Sequence, residues 1–175
     1  IEGLKRLEYR GYDSAGIATL LNGKIDRRRS LGKIENLKKL LKKSPIKGNV
    51  GIGHTRWATH GIPSRANAHP HSSEDVALVH NGIIENYDVL RKDLERKNII
   101  FESDTDTEVI AHLISFFLKK NLSPLKATIT ALKKVEGAFA LGIIFSGINN
   151  YLICAKRGSP LAIGKGKNCN YIGSD

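Results

Sequence analysis

The spacing of apolar positions changes character several times along the 175 residues. Ile1 to Tyr9 reads as a helix end closed by Gly11. Ala15 to Leu21 and Lys24 to Arg29 are short strand-like runs joined by Asn22-Gly23. That dipeptide predicts a hairpin, because a type I′ turn needs positive φ at both central residues. Between Lys33 and Lys43 the apolar residues Ile34, Leu37, Leu40 and Leu41 recur at helical spacing, and the pattern stops near Pro45. Val50 to Arg56 predicts a strand. Gly61 to Ser73, with Pro63, Asn67 and Pro70, predicts a loop. Val76 to His80 predicts a strand broken at Asn81-Gly82.

Glu85 to Lys97 is expected to be helical, with Tyr87, Leu90 and Leu94 on its apolar side. Thr105-Asp106-Thr107-Glu108 has the form of a capping box in front of Val109, Ile110, Leu113, Ile114 and Phe117, which would place Asp106 at the first helical position. Ser123-Pro124 fits an N-cap followed by Pro at the first helical position of a helix running to about Val135. Gly137 ends it. Ala138 to Phe145, Tyr151 to Ala155, Leu161 to Gly164 and Asn170 to Ile172 are strand-like. Runs of strands separated by runs of helices argue for an α+β fold with mainly antiparallel sheets, and no domain boundary is visible inside the chain.

Composition narrows the class. Hydrophobic residues make up 41%, enough for a core. No apolar stretch reaches the ~18 residues of a membrane span, so no membrane partner is expected. Two cysteines, Cys154 and Cys169, cannot build a disulfide framework, and a reducing, cytoplasmic setting is the expectation. Both read as structural. The chain has no Met and begins at Ile1, so a fragment is expected. Residues 24–47 hold ten basic and two acidic side chains, +8 of the total +11. A basic run of this kind marks either a nucleic-acid patch or a solvated helix face. No aromatic is interleaved to stack on bases, so nucleic acid is not an expected partner.

Three segments concentrate chemistry. Gly53-His54-Thr55-Arg56-Trp57-Ala58-Thr59-His60-Gly61 leaves a strand. Val79-His80-Asn81-Gly82-Ile83 leaves another, and Ser103-Asp104-Thr105-Asp106-Thr107-Glu108 opens a helix. Arg56 carries a planar fork suited to a carboxylate or phosphate, or makes an ordinary surface ion pair. Trp57, the single Trp, reads first as a core residue. Thr59 and His60 are hydrogen-bonding loop residues or ligands. Asn81 and Gly82 could converge two N–H donors on one oxygen and stabilise an oxyanion, or simply form a tight turn. Asp106 could bind an ammonium group or decorate a helix start, where the dipole favours a carboxylate. Five of the six histidines fall between positions 54 and 80, at spacings that match no zinc pattern, so no metal is expected.

Together these segments are far more specific than apart. Leu7-Glu8-Tyr9-Arg10-Gly11-Tyr12-Asp13-Ser14-Ala15-Gly16, His54-Thr55-Arg56-Trp57-Ala58-Thr59-His60-Gly61, Asn67-Ala68-His69-Pro70-His71, Val79-His80-Asn81-Gly82-Ile83-Ile84-Glu85-Asn86 and Ser103 to Ile110 occur in order, followed by Arg157-Gly158-Ser159-Pro160-Leu161 and Ser174-Asp175. The chain resembles, along essentially its whole length, the glutaminase (type 2 glutamine amidotransferase) domain of the glucosamine-6-phosphate synthase family.

The resemblance implies an N-terminal-nucleophile hydrolase fold, an αββα four-layer with two mainly antiparallel sheets, over residues 1–175 as one glutaminase domain. It implies hydrolysis of glutamine to glutamate and ammonia. The ammonia would pass to sugar-phosphate isomerase domains of the same polypeptide, which make glucosamine 6-phosphate from fructose 6-phosphate. The partners implied are glutamine, those isomerase domains and a second copy in a homodimer of the full-length protein. No cofactor is implied. By motif match Asn81 and Gly82 form the oxyanion hole, Arg56 holds the glutamine α-carboxylate and Asp106 the α-ammonium. Thr59 and His60 complete the pocket, and Trp57 helps gate ammonia passage. The family's nucleophile is an N-terminal Cys whose own α-amine is the base. Against that family this sequence begins downstream of that residue and stops before the domain ends, so the 175 residues are expected to be truncated at both ends and inactive as they stand. The rival reading is an inactive, glutaminase-like binding module.

Overall fold

The computed structural model describes residues 1–174. The final Asp175 of the motif series lies outside the described residues. The chain order is α1 (Glu2–Lys5), a 3₁₀ turn (Glu8–Arg10), β1 (Ser14–Leu21), β2 (Lys24–Leu31), α2 (Ile34–Lys43), β3 (Val50–Arg56), β4 (His71–Ser72), β5 (Val76–Ile84), α3 (Tyr87–Glu95), α4 (Thr107–Leu118), α5 (Pro124–Leu132), β6 (Gly137–Phe145), β7 (Leu152–Arg157), β8 (Ala162–Lys165) and β9 (Asn170–Gly173).

Two antiparallel sheets face each other, one in the order β2-β1-β3 and the other β4-β5-β6-β7. The period-2 alternation of strand side chains assigns each residue to a layer. On β1, Ala15 and Ile17 pack with Leu4 of α1 and with Ile34, Leu37 and Leu41 of α2. Ala18 and Leu20 turn the other way and meet Ile52, Ala77 and Ile144 between the sheets. Val76 and Leu78 of β5 and Leu141, Ile143 and Phe145 of β6 face Val109, Ile110 and Ile114 of α4. The stack is therefore helices, sheet, sheet, helices. β6 is apolar on both faces because both are covered, which is why Ala138 to Phe145 reads as an uninterrupted hydrophobic run.

Several sequence expectations hold. Asn22 (φ 51°) and Gly23 (φ 74°) turn the β1–β2 hairpin with positive φ at both centres. Ser123 is the N-cap of α5 and Pro124 opens it. Others need correction. β5 does not break at Asn81-Gly82 but runs on to Ile84, paired throughout with β6. Partner bonds from β6 hold the strand where composition suggested a turn. The segment read as loop contains the two-residue strand β4, which adds to the edge of β5. α5 stops at Leu132, three residues early. β8 and β9 leave the main sheets and pair only with each other. Among the described residues, no helix is long and apolar enough to cross a membrane.

Ile144 is fully buried between the sheets. Ile144→Ala is expected to lower stability by about 2–5 kcal/mol and Ile144→Val by about 1 kcal/mol, through lost transfer energy and a residual cavity. Urea unfolding of both variants checks the order. Equal midpoints for Ala and wild type would mean the two sheets do not pack tightly there.

Candidate active site

A cleft of about 1100 Å³ opens at one end of the sandwich and runs down between the sheets. Its wall includes all seven residues singled out by sequence: Arg56, Trp57, Thr59, His60, Asn81, Gly82 and Asp106. They converge from the end of β3, the loop after it, the far part of β5 and the start of α4.

Arg56 ends β3 with its guanidinium buried, 4% exposed. An interior cation needs partners. Nη1 lies 3.4 Å from Oδ1 of Asp13, and Nη2 donates to the carbonyls of His60 and of Gly61, the latter at 3.0 Å. The loop after the strand is thus wrapped around the arginine that precedes it. Asp13 reinforces the wrap: its Oδ2 accepts from the Ala58 N–H at 2.6 Å, and its own N–H donates to the Arg56 carbonyl at 2.8 Å. Trp57 is not a core residue but is 67% exposed. Its indole lies against Gly11, where an added Cβ would come within 2.3 Å of the ring and where φ is +73°. His60 stands beside Thr59, Nδ1 to Oγ1 3.4 Å, with its ring edge-on to Tyr87.

Asn81 shares a strand face with Ala77 and Val79 and so points into the inter-sheet space. Its side-chain amide makes no hydrogen bond to any described residue. Gly82 adopts φ +141°, and a Cβ there would sit 2.1 Å from the Ala138 carbonyl oxygen. Glycine at this position is a steric requirement of the strand pairing. The pair presents an uncommitted amide and a backbone without side-chain cover at one point of the cleft wall.

Asp106 is the residue before α4, not its first helical residue, since the helix begins at Thr107. The expected capping box does not form. Oδ2 of Asp106 instead accepts from the Ile84 N–H at 2.8 Å, and Oδ1 from the Thr107 hydroxyl at 3.2 Å. Glu108 reaches back past the helix start to the N–H groups of Glu102 and Ser103 and to the Ser103 hydroxyl. Burial raises its pKa, but these bonds together with His112 outweigh that and hold it at about 2. Asp106 is buried, at 3% exposed, and its carboxylate sits at the positive end of α4.

Sequence reasoning missed a histidine cluster in this wall. His69, His71 and His80 are buried, and His54 stacks on His69 at 4.3 Å. The Thr107 hydroxyl contacts His80 Nδ1 at 2.9 Å and His69 Nε2 at 3.4 Å, while Thr105 contacts His71 Nε2 at 3.1 Å. Among the described residues no group of three or more His, Cys, Asp or Glu side chains is disposed to hold a metal. The histidines instead form a neutral cluster of which His54, His69 and His80 line the cleft. Desolvation, together with mutual repulsion, puts His69 well below its ordinary value, and desolvation pushes His71 down to about 3. The clustering between positions 54 and 80 was the only signal in the sequence.

A family model of the glutamine amidotransferase domain matches residues 54–175. The chain is 57% identical to the glutamine–fructose-6-phosphate aminotransferase [isomerizing] of Bartonella henselae and 55% identical to that of Mesorhizobium japonicum, over 100% of this chain in both cases. It spans 29% of the length of each. Among solved structures, the glutamine phosphoribosylpyrophosphate amidotransferase of B. subtilis superposes with a TM-score of 0.81 at 30% identity, over 98% of this chain and 38% of that one. An allosteric regulatory enzyme of purine biosynthesis gives a TM-score of 0.84 at the same identity and coverage. The fold is that of the N-terminal-nucleophile glutamine amidotransferases, and the chain belongs to the glutamine amidotransferase domain family. Within it, the sequence is similar to the glutaminase portion of glutamine–fructose-6-phosphate aminotransferase (isomerizing).

The buried histidines fix a pH dependence. Their folded pKa values lie below the unfolded value of about 6.5, so the unfolded chain binds more protons below that pH. The stabilisation is complete above about pH 6.5 and is lost as pH falls towards about 3, the folded value of His71. Between pH 7.5 and 5.5 the burial of His69 and His71 should therefore lower stability, by on the order of 1 kcal/mol for each ring. Urea midpoints at the two pH values check this. A midpoint that does not move would show both rings to be solvated.

Proposed function

We propose that the chain is the glutaminase domain of an enzyme that hydrolyses the side-chain amide of glutamine and passes the ammonia to a sugar-phosphate acceptor domain of the same polypeptide. One observation supports this most directly: a guanidinium, a carboxylate and an Asn-Gly donor pair converge on one cleft in a chain of the glutamine amidotransferase family. Arg56 binds the α-carboxylate of glutamine and Asp106 its α-ammonium. Those two contacts hold the amino-acid end of the substrate, and Thr59 and His60 close the pocket around it. Asn81 and Gly82 face the side-chain carbonyl and stabilise the oxyanion that forms when the carbonyl is attacked. Trp57, exposed at the mouth, lies where ammonia would leave.

The reaction needs a nucleophile. Cys154 lies in β7 and Cys169 in the exposed β8–β9 turn, where its thiol meets the Tyr171 hydroxyl at 2.9 Å. Neither lines the cleft. We therefore assign the attack to an N-terminal Cys preceding Ile1, with its α-amine as the base. β3 is the edge of its sheet, and its residues Gly51 to Thr55 line the cleft, leaving a strand edge on which such a segment could pair. Thiolate attack forms the C–S bond and a tetrahedral oxyanion. Its collapse breaks the C–N bond and releases ammonia, and water then cleaves the thioester to glutamate. The parent protein is further proposed to make glucosamine 6-phosphate from fructose 6-phosphate and to act as a cytoplasmic homodimer.

The test is glutamate release from glutamine by the full-length parent protein, with formation of glucosamine 6-phosphate measured alongside. No glutamate release would favour the binding-module reading. Asn81→Ala should lower kcat by about 10²–10³ with KM for glutamine little changed, since an oxyanion donor acts in the transition state. Asp106→Asn should do the opposite and raise KM with a smaller effect on turnover, because the ammonium is remote from the scissile bond. Reversal of the two patterns would exchange the subsites.

A further inference from the structure

Arg56 cannot set its own orientation. At 4% exposure its guanidinium is placed by what surrounds it, and the one anion in contact is Asp13, 3.4 Å away. Asp13 is in turn heavily constrained. Its Oδ1 accepts from the Ser14 hydroxyl at 2.7 Å and its Oδ2 from the Ala58 N–H at 2.6 Å. Its main chain is pinned on both sides, N–H to the Arg56 carbonyl at 2.8 Å and carbonyl to the Gly32 N–H at 2.6 Å. One residue therefore grips the end of β3 at three points: its N–H holds the Arg56 carbonyl, and its carboxylate holds the guanidinium and the backbone two residues into the loop.

From this we infer that Asp13 is a positioning residue for glutamine recognition, holding the Arg56 guanidinium and the first turn of the 57–61 loop in the geometry that receives the substrate carboxylate. It acts through Arg56. Without its charge, the buried guanidinium keeps only the carbonyls of His60 and Gly61, both on the loop itself, and follows that loop instead of the scaffold. The inference rests on the reading that Arg56 holds the glutamine α-carboxylate.

The test uses the full-length parent protein and four variants: Asp13→Asn, Asp13→Ala, Arg56→Gln and Asp13→Asn combined with Arg56→Gln. Asp13→Asn keeps an acceptor for the Ala58 N–H and loses the charge. It should raise KM for glutamine about tenfold with kcat within about twofold. Asp13→Ala loses both contacts and should raise KM further. In the Arg56→Gln background, Asp13→Asn should cost nothing more, since the group it acts through is gone. A role in fold stability only would lower kcat and active protein together and would add to the Arg56→Gln effect. That result, or an unchanged KM in Asp13→Asn while Arg56→Gln raises it, overturns the role of Asp13 and leaves the site assignment standing. An Arg56→Gln variant with wild-type KM removes Arg56 from the carboxylate subsite, and this inference with it.

Discussion

Two sheets packed face to face leave polar groups one place to go, the ends of their strands. The space between β1, β3, β5 and β6 is filled by Ala18, Leu20, Ile52, Ala77 and Ile144, none of which offers a hydrogen bond. A charge placed there would have to be desolvated without compensation. The charged groups instead sit where β3 stops, where β5 passes the last apolar layer, and just before α4 starts. At each of these points backbone N–H or C=O groups are available as partners. The site is the polar rim that the dry interior makes necessary, gathered at one end of the sandwich.

The same constraint explains the histidine cluster in the cleft wall. Thr107, the first residue of α4, touches Asp106, His69 and His80 with one hydroxyl. Glu108 turns back to the strand of backbone before the helix. These interior polar groups meet one another in part, His80 Nε2 and His54 Nδ1 being left without a partner among the described residues, and burial keeps the histidines neutral. Asp106 thereby gains a fixed position from both sides, one oxygen held by α4 and the other by the Ile84 N–H of β5. The strand that carries Asn81 and Gly82 and the carboxylate of Asp106 form one rigid piece.

Much of this was legible in the sequence where a local rule decides the conformation. Asn22-Gly23 and Ser123-Pro124 were readable because turn and cap chemistry are properties of the residues themselves. The strands were readable by period. Asn81-Gly82 was misread as a break because its conformation is set by β6, sixty residues away, whose ladder carries the strand through a glycine that tolerates φ +141°. Trp57 was misread as core because a large apolar residue is usually buried, whereas here Gly11 supplies a flat backbone surface for one ring face and the rest is open. The seven site residues came from a family pattern, and the structure brings them together. Asp13 falls inside the first motif, but no spacing rule connects it to Arg56, forty-three residues on, until β1 and β3 pair in register from Ser14 and Arg56 onward.

The proposed subsites for the two ends of glutamine differ in mechanical character. Asp106 is anchored to regular structure on both oxygens, so an ammonium meets an anion already oriented, and little reorganisation accompanies binding. Arg56 is anchored on one side to the scaffold through Asp13 and on the other to its own loop through two carbonyls on Nη2. Its Nε makes no hydrogen bond to a described residue, which leaves that donor uncommitted. A bidentate grip on that carboxylate would draw on Nη2 as well, and so would compete with the carbonyls of His60 and Gly61. Recognition of a carboxylate there would in this way be coupled to the conformation of residues 57–61, the segment that also carries Trp57, Thr59 and His60. On the proposed assignment, the fixed acidic subsite would engage the ammonium with little movement, while the basic subsite would draw on the loop.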